Sequence, residues 1–153
     1  MRLRSATTAC LLTLLASLCG TISAAEPFCG YKEKATVSVK RTDGSSLSFR
    51  VGIADTTPLH RKGLMECPTL PNSRGLLFIF SDLQERSFWM HHTKMPLAIV
   101  YIGDDMKVVS VQRGEPDSER SLPSKRPARY VLEVNWLEGS GIKPGELVKI
   151  SFD

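Results

Sequence analysis

The sequence predicts a mainly β protein: a small barrel or sandwich of seven to eight mostly antiparallel strands with one short helix. Three observations predict it. Short segments alternate apolar with polar residues, the period of a half-buried strand. Turn signals separate them, at Asp43-Gly44, Gly103-Asp104-Asp105 and Lys143-Pro144-Gly145-Glu146. Only one place carries the chemistry of a helix start.

The first two strands are expected at residues 34–39 and 47–53, joined by a hairpin at Asp43-Gly44, a pair suited to positive φ. The pattern then breaks at Asp55-Thr56-Thr57-Pro58. Thr57 is the expected cap of a two-turn helix starting at Pro58, whose missing amide costs nothing there, with Gly63 as terminator. Leu76-Leu77-Phe78-Ile79-Phe80 is apolar throughout and belongs deep in a core. Strands at residues 86–90, 98–102, 107–112, 130–135 and 147–152 complete the set. Residues 114–127 show no periodicity and three prolines, which reads as a long solvated loop or a cover over a site.

Ahead of these strands, Arg2 and Arg4 precede an uncharged apolar run and the small residues Ser23-Ala24-Ala25, the layout of a cleaved signal peptide. The expected organisation is a leader over residues 1–25, a lead-in over 26–36 and one β-rich domain over 37–153. The apolar run falls short of the roughly 20 residues a bilayer needs, which argues against an N-terminal anchor, and no later segment could span a membrane, so no stable membrane insertion is expected after cleavage. The expected location is extracytoplasmic, periplasmic or secreted. Cleavage would lower the Lys+Arg count from 20 to 18 against 16 acids, which removes most of the apparent basicity and argues against nucleic acid as a partner. It would also leave Cys29 and Cys67 alone in an oxidising compartment, where pairing as a disulfide is expected.

The densest chemistry lies in Ser87-Phe88-Trp89-Met90-His91-His92-Thr93-Lys94-Met95-Pro96. Trp and Phe offer a flat apolar surface, and neighbouring polar groups can orient a ring laid against it. The expected binding residues are Trp89, His91, His92 and Thr93, with Arg61 if the helix packs over the strand; the expected partner is a small molecule or another extracytoplasmic partner. The competing core reading is that Phe88 and Met90 fill the interior, since alternate strand residues point opposite ways. A copper reading draws on the thioether and imidazole donors Met90, His91, His92 and Met95, but adjacent His residues on an extended segment diverge. Copper stands as the alternative to no cofactor and no metal. A thiol or serine hydrolase would use Cys67 with His60 or His92, or Ser87 with His91, yet neither nucleophile lies in an activating turn. No catalytic residue is therefore assigned.

Thr57-Pro58, Arg61, Gly63-Leu64-Met65, Leu70-Pro71, Gly75-Leu76-Leu77-Phe78, Phe88-Trp89-Met90, Thr93, Pro96-Leu97, Tyr130-Val131-Leu132-Glu133, Gly141-Ile142-Lys143 and Gly145 together resemble the bacterial and archaeal domain of unknown function family 192. The resemblance spans residues 37–150 and implies a predominantly β domain, often exported, with no established activity. The chain departs from that pattern in three places. His91 and His92 stand where a basic residue and Asn are usual, Cys67 where Arg is common, and Ala98 where Asp is common. An Arg and an Asp lost together suggest a former ion pair, and this predicts that Cys67 and Ala98 face one another.

Overall fold

A computed structural model describes residues 27–153 of the chain; the expected leader, residues 1–25, lies outside the described residues. Nine strands and two short helices follow in order: β1 (Ala35–Lys40), β2 (Ser46–Ala54), α1 (Thr57–Lys62), β3 (Arg74–Gln84), β4 (Ser87–Phe88), β5 (Leu97–Ile102), β6 (Val108–Gly114), β7 (Leu122–Pro123), β8 (Ala128–Asn135), α2 (Trp136–Gly139) and β9 (Leu147–Phe152). Seven strands form one sheet in the order β6-β5-β8-β3-β2-β1-β9, and β4 pairs with β7 in a separate ribbon. Every adjacent pair in the sheet is antiparallel except β2 and β3, which α1 joins as a crossover. None of the helices among the described residues is long and apolar enough to cross a membrane.

The sheet curls until its two edges touch. Lys107 bridges Leu147, the Val108 amide donates to the Glu146 carbonyl at 2.9 Å, and the Val148 amide donates to the Met106 carbonyl at 2.8 Å. β6 and β9 share no continuous ladder, so the barrel stays open at this seam.

Alternation along the strands produces two cores. The concave face holds Val37, Val39, Phe49, Val51, Leu77, Val100, Ile102, Leu132 and Val134, almost all aliphatic and sealed. The opposite face presents Leu76, Phe78, Leu97, Ile99, Tyr101 and Val131, and is covered by Phe28, Tyr31, Leu64, Cys67, Leu70, Met90 and Leu122 from the connecting segments. The apolar run in β3 serves both cores at once, which is why it shows no alternation.

Several expectations change in detail. α1 begins at Thr57 with Thr56 in the cap position, one residue earlier than expected, and no side chain caps it. Gly63 ends it at φ 47°, its amide donating to the Leu59 carbonyl. A second helix, α2, adds to the one expected; four residues are too few to show a helical period. Residues 114–127 contribute β7 and return hydrogen bonds to the segment after β4, with the Met90 amide donating to Ser118 O at 2.9 Å and the Asp117 amide to Thr93 O at 2.9 Å. The facing of Cys67 and Ala98 is overturned: Cys67 packs in the outer core and Ala98 in the inner one, on opposite faces of the sheet. Cys29 and Cys67 form a disulfide closing 38 residues, Cα to Cα 5.1 Å, tying the lead-in to the segment after α1.

Candidate functional site

A groove of about 700 Å³ opens on the outer face, where α1, the end of β3 and β4 converge. Thr57, His60 and Arg61 contribute from α1, Phe80 from β3, Glu85 and Arg86 from the bend, and Ser87, Phe88 and Trp89 from the β4 segment. Local physics fixes each wall. The His60 Nε2 lies 3.0 Å from Ala54 O and 3.1 Å from Ile79 O, so one ring nitrogen pins the helix over the ends of the parallel strands. The ring packs at 4.3 Å from Phe80. Between Ile79 and Gln84 the β3–β8 register shifts, before Gln84 pairs again with Ala128, and Phe80 of this irregular stretch lines the groove. There the Arg86 guanidinium sits 3.9 Å over the Phe80 ring, donates to Ala128 O at 3.1 Å and pairs with Asp82 at 2.6 Å. Arg86 is thus committed, whereas Arg61 is exposed and makes no hydrogen bond or ion pair among the described residues.

Trp89 forms the opposite wall and is 50% exposed. Its indole stacks on His91 with centroids 4.8 Å apart and an angle of 20°, and His91 stacks on His92 at 3.9 Å and 16°. His92 has φ 49°, so the chain turns here and the two rings lie face to face instead of diverging as an extended segment would require. The His91 Nδ1 is held 2.6 Å from Glu119 Oε1, on the loop before β7. Neither imidazole lines the groove. His91 stacks directly on Trp89, and His92 touches the stack only through His91.

Next to the groove lies a cavity of about 30 Å³ that shares His60, Arg61, Phe88 and Trp89 with it and adds Thr93 and Glu133 among its walls. Thr93 is buried, its hydroxyl donating to His91 O at 3.2 Å. Glu133 is 4% exposed, and its Oε2 is buried with no hydrogen-bond partner among the described residues. Burial pushes the carboxyl up to about 8, so it holds its proton at neutral pH. Tyr31 and Tyr101 are raised as well, first by their own burial and second by Glu133; Tyr31 is pushed up to about 12. Each phenol has a carbonyl acceptor elsewhere, Gly63 O at 3.0 Å for Tyr31 and Leu122 O for Tyr101. Gly63 lines this cavity at φ 47°, the left-handed region that favours glycine.

Of the residues singled out in the sequence, Arg61 and Trp89 line both cavities, Thr93 lines the small one, and His91 and His92 line neither. Met90 is fully buried, its sulfur packed where a Cβ on Gly114 would reach to within 2.3 Å. Among the described residues no group of three or more His, Cys, Asp and Glu side chains converges on a point that could hold a metal ion. The sequence reading missed Phe80, Arg86 and Glu133. For Glu133 the signal was present: in Tyr130-Val131-Leu132-Glu133-Val134 an acid occupies the same strand face as Val131, a core position by alternation.

Comparison with known proteins agrees with this architecture. The family model DUF192, described as Uncharacterized ACR, matches residues 38–150. A protein of unknown function from Novosphingobium aromaticivorans is 34% identical in sequence, with a TM-score of 0.70 over 74% of this chain and 83% of its own. A "putative transcription regulator" from Sinorhizobium meliloti 1021 is 25% identical, with a TM-score of 0.72 over 82% of this chain and 96% of its own. None of the curated proteins compared with the chain matches it. With the family pattern spanning nearly all of the folded region, the chain belongs to the domain of unknown function family DUF192.

Proposed function

We propose that this protein is an exported binding module whose outer-face groove takes a small molecule with a planar or ring-shaped body. One observation carries the reading: the exposed Trp89 ring and the unpaired Arg61 guanidinium line the same groove of about 700 Å³. That volume lies within the range of ordinary small-molecule sites. Trp89 and Phe88 supply apolar area, and Arg61 supplies a cation at the rim for an anionic substituent on the ligand. The stack behind Trp89 favours binding because the ring is already held before the ligand arrives, which lowers the ordering cost. Export is supported by the layout of residues 1–25 and by the disulfide, which persists outside the reducing cytoplasm.

The test uses the fluorescence of Trp89 in a Trp136→Phe background, titrated with a panel of single-ring aromatic and sugar compounds. The reading predicts saturable quenching by at least one class, lost in Trp89→Ala and weakened about tenfold in Arg61→Ala for ligands bearing an acid group. Absence of saturable quenching across the panel would contradict it. N-terminal sequencing of protein from the periplasmic fraction tests export, with a start at residue 25 or 26 expected and an intact Met1 contradicting it.

A further inference from the structure

The groove does not end at its aromatic walls. The adjoining cavity of about 30 Å³ has room for one or two non-hydrogen atoms, and its lining includes a carboxyl whose Oε2 lacks any partner among the described residues. A buried polar atom left without a hydrogen bond costs on the order of 1–3 kcal/mol. Most such atoms in folded proteins are satisfied, and an exception beside a groove points to a group supplied from outside. Two features define what that group is. Glu133, Thr93, His60, Arg61 and Lys62 bring polar side chains to the lining and Phe78 and Phe88 bring apolar ones, and of the polar groups the His60 Nε2 is already held by Ala54 O and Ile79 O and the Thr93 hydroxyl by His91 O. Arg61 and Lys62 are both cations of this lining, Lys62 with its ammonium donating to Cys29 O at 3.0 Å, and both repel an incoming cation.

We infer that Glu133 and Thr93 form the selective inner end of the ligand site, where the protonated Glu133 carboxyl donates a hydrogen bond to an uncharged oxygen, a carbonyl or hydroxyl, at one tip of the ligand. This rests on the groove being a binding site, and it adds the ligand's chemical class: a planar body with a neutral acceptor at its narrow end. A carboxylate tip is disfavoured because a full charge would have to shed its water in a cavity of about 30 Å³, and loss of the Glu133 proton would set two like charges against each other, which offsets the attraction of Arg61. An amine tip is disfavoured by the cations of the lining, although it would gain an ion pair if it drew the proton off Glu133. The proton balance is simple: it stays on Glu133 throughout, and no bond other than the hydrogen bond forms.

Three probes of equal shape separate these cases: acetophenone, whose tip only accepts hydrogen bonds, benzoate, an anion, and benzamidine, a cation. Binding is read by Trp89 fluorescence in the Trp136→Phe protein at pH 6 and pH 9. The inference predicts that acetophenone binds tightest at pH 6 and weakens about tenfold at pH 9, when the carboxyl ionises and the donor is lost. Glu133→Gln, which keeps a donor of the same shape, should retain acetophenone binding and lose the pH dependence. Glu133→Leu should weaken it about tenfold, with folding of both variants checked by circular dichroism. If benzamidine binds tightest and improves at pH 9, Glu133 is an ion-pairing carboxylate and the inference is wrong. If acetophenone quenches Trp89 with no dependence on pH or on Glu133, the groove reading stands and the inner site falls. If none of the three probes perturbs Trp89, both fall.

Discussion

The two faces of the sheet are built from different materials. The inner core is made of Ala, Val, Ile, Leu and one Phe, with Val37, Val39, Val51, Leu77, Val100 and Leu132 fully sealed. The outer core carries Tyr31, Phe78, Tyr101 and Met90, a disulfide, and the buried acid Glu133. A core of aliphatic side chains has no hydrogen bonds to satisfy and is worth only its packing. An outer layer that tolerates an unsatisfied carboxyl gives up stability, and such concessions gather where a protein meets a ligand. The contrast teaches that the scaffold and the proposed site are two sides of one sheet.

That division is open to attack, starting with the largest effect. Leu132→Ala removes a sealed side chain from the inner core and is expected to cost about 2–5 kcal/mol in urea unfolding while leaving probe binding per folded molecule unchanged. A change in binding affinity as large as the loss of stability would join the two faces. Reducing the Cys29–Cys67 bond, or replacing both with Ser, should cost about 3–4 kcal/mol, because the bond closes a 38-residue separation in the unfolded chain. The same change should widen the groove, since the tether joins the lead-in to the segment behind α1, and hydrogen exchange at residues 59–67 is the readout.

Glu133 gives a prediction whose sign is set by linkage. Its carboxyl is raised from 4.5 to about 8, so between those values the folded chain holds a proton the unfolded chain has lost. Stability is then greatest below pH 4.5 as far as this group is concerned, falls as pH rises through the window, and levels off above about 8. At about 1.4 kcal/mol per tenfold change in proton affinity, even half of that displacement is a decline of roughly 2 kcal/mol. The decline should be missing from Glu133→Gln. The smallest effect concerns the ring stack: His91→Ala should cost about 1 kcal/mol or less in stability yet raise the mobility of Trp89, read as lower fluorescence anisotropy in the Trp136→Phe protein.

Much of the architecture was legible in the sequence because alternation and turn chemistry are local signals. The β1–β2 hairpin at Asp43-Gly44 and the β5–β6 hairpin at Gly103-Asp104-Asp105 both form as expected. The parallel pairing of β2 with β3 was not legible, since a six-residue helix hardly announces a crossover. β7 stayed hidden because its two residues, Leu122 and Pro123, owe their pairing to β4 and carry no period of their own. Within the site, Trp89 and Arg61 stood out by residue type. His91 and His92 stood out equally, and only the left-handed turn at His92 shows that they stack behind Trp89 instead of lining the groove. Cys67 and Ala98 mislead for a related reason: two departures from one pattern do not place two residues in contact, and the strand parity of Ala98 turns it to the inner core.

The proposed inner end of the groove requires an uncharged Glu133 carboxyl beneath it. The direct measurement is a pH titration of the Glu133 side-chain carbon by NMR, assigned by its disappearance in Glu133→Gln. A midpoint near 8, moving upward when acetophenone is present, is the predicted result. A midpoint near the ordinary 4.5, unmoved by the probe, would mean that Glu133 is solvated and ionised, and the site would lose its inner end.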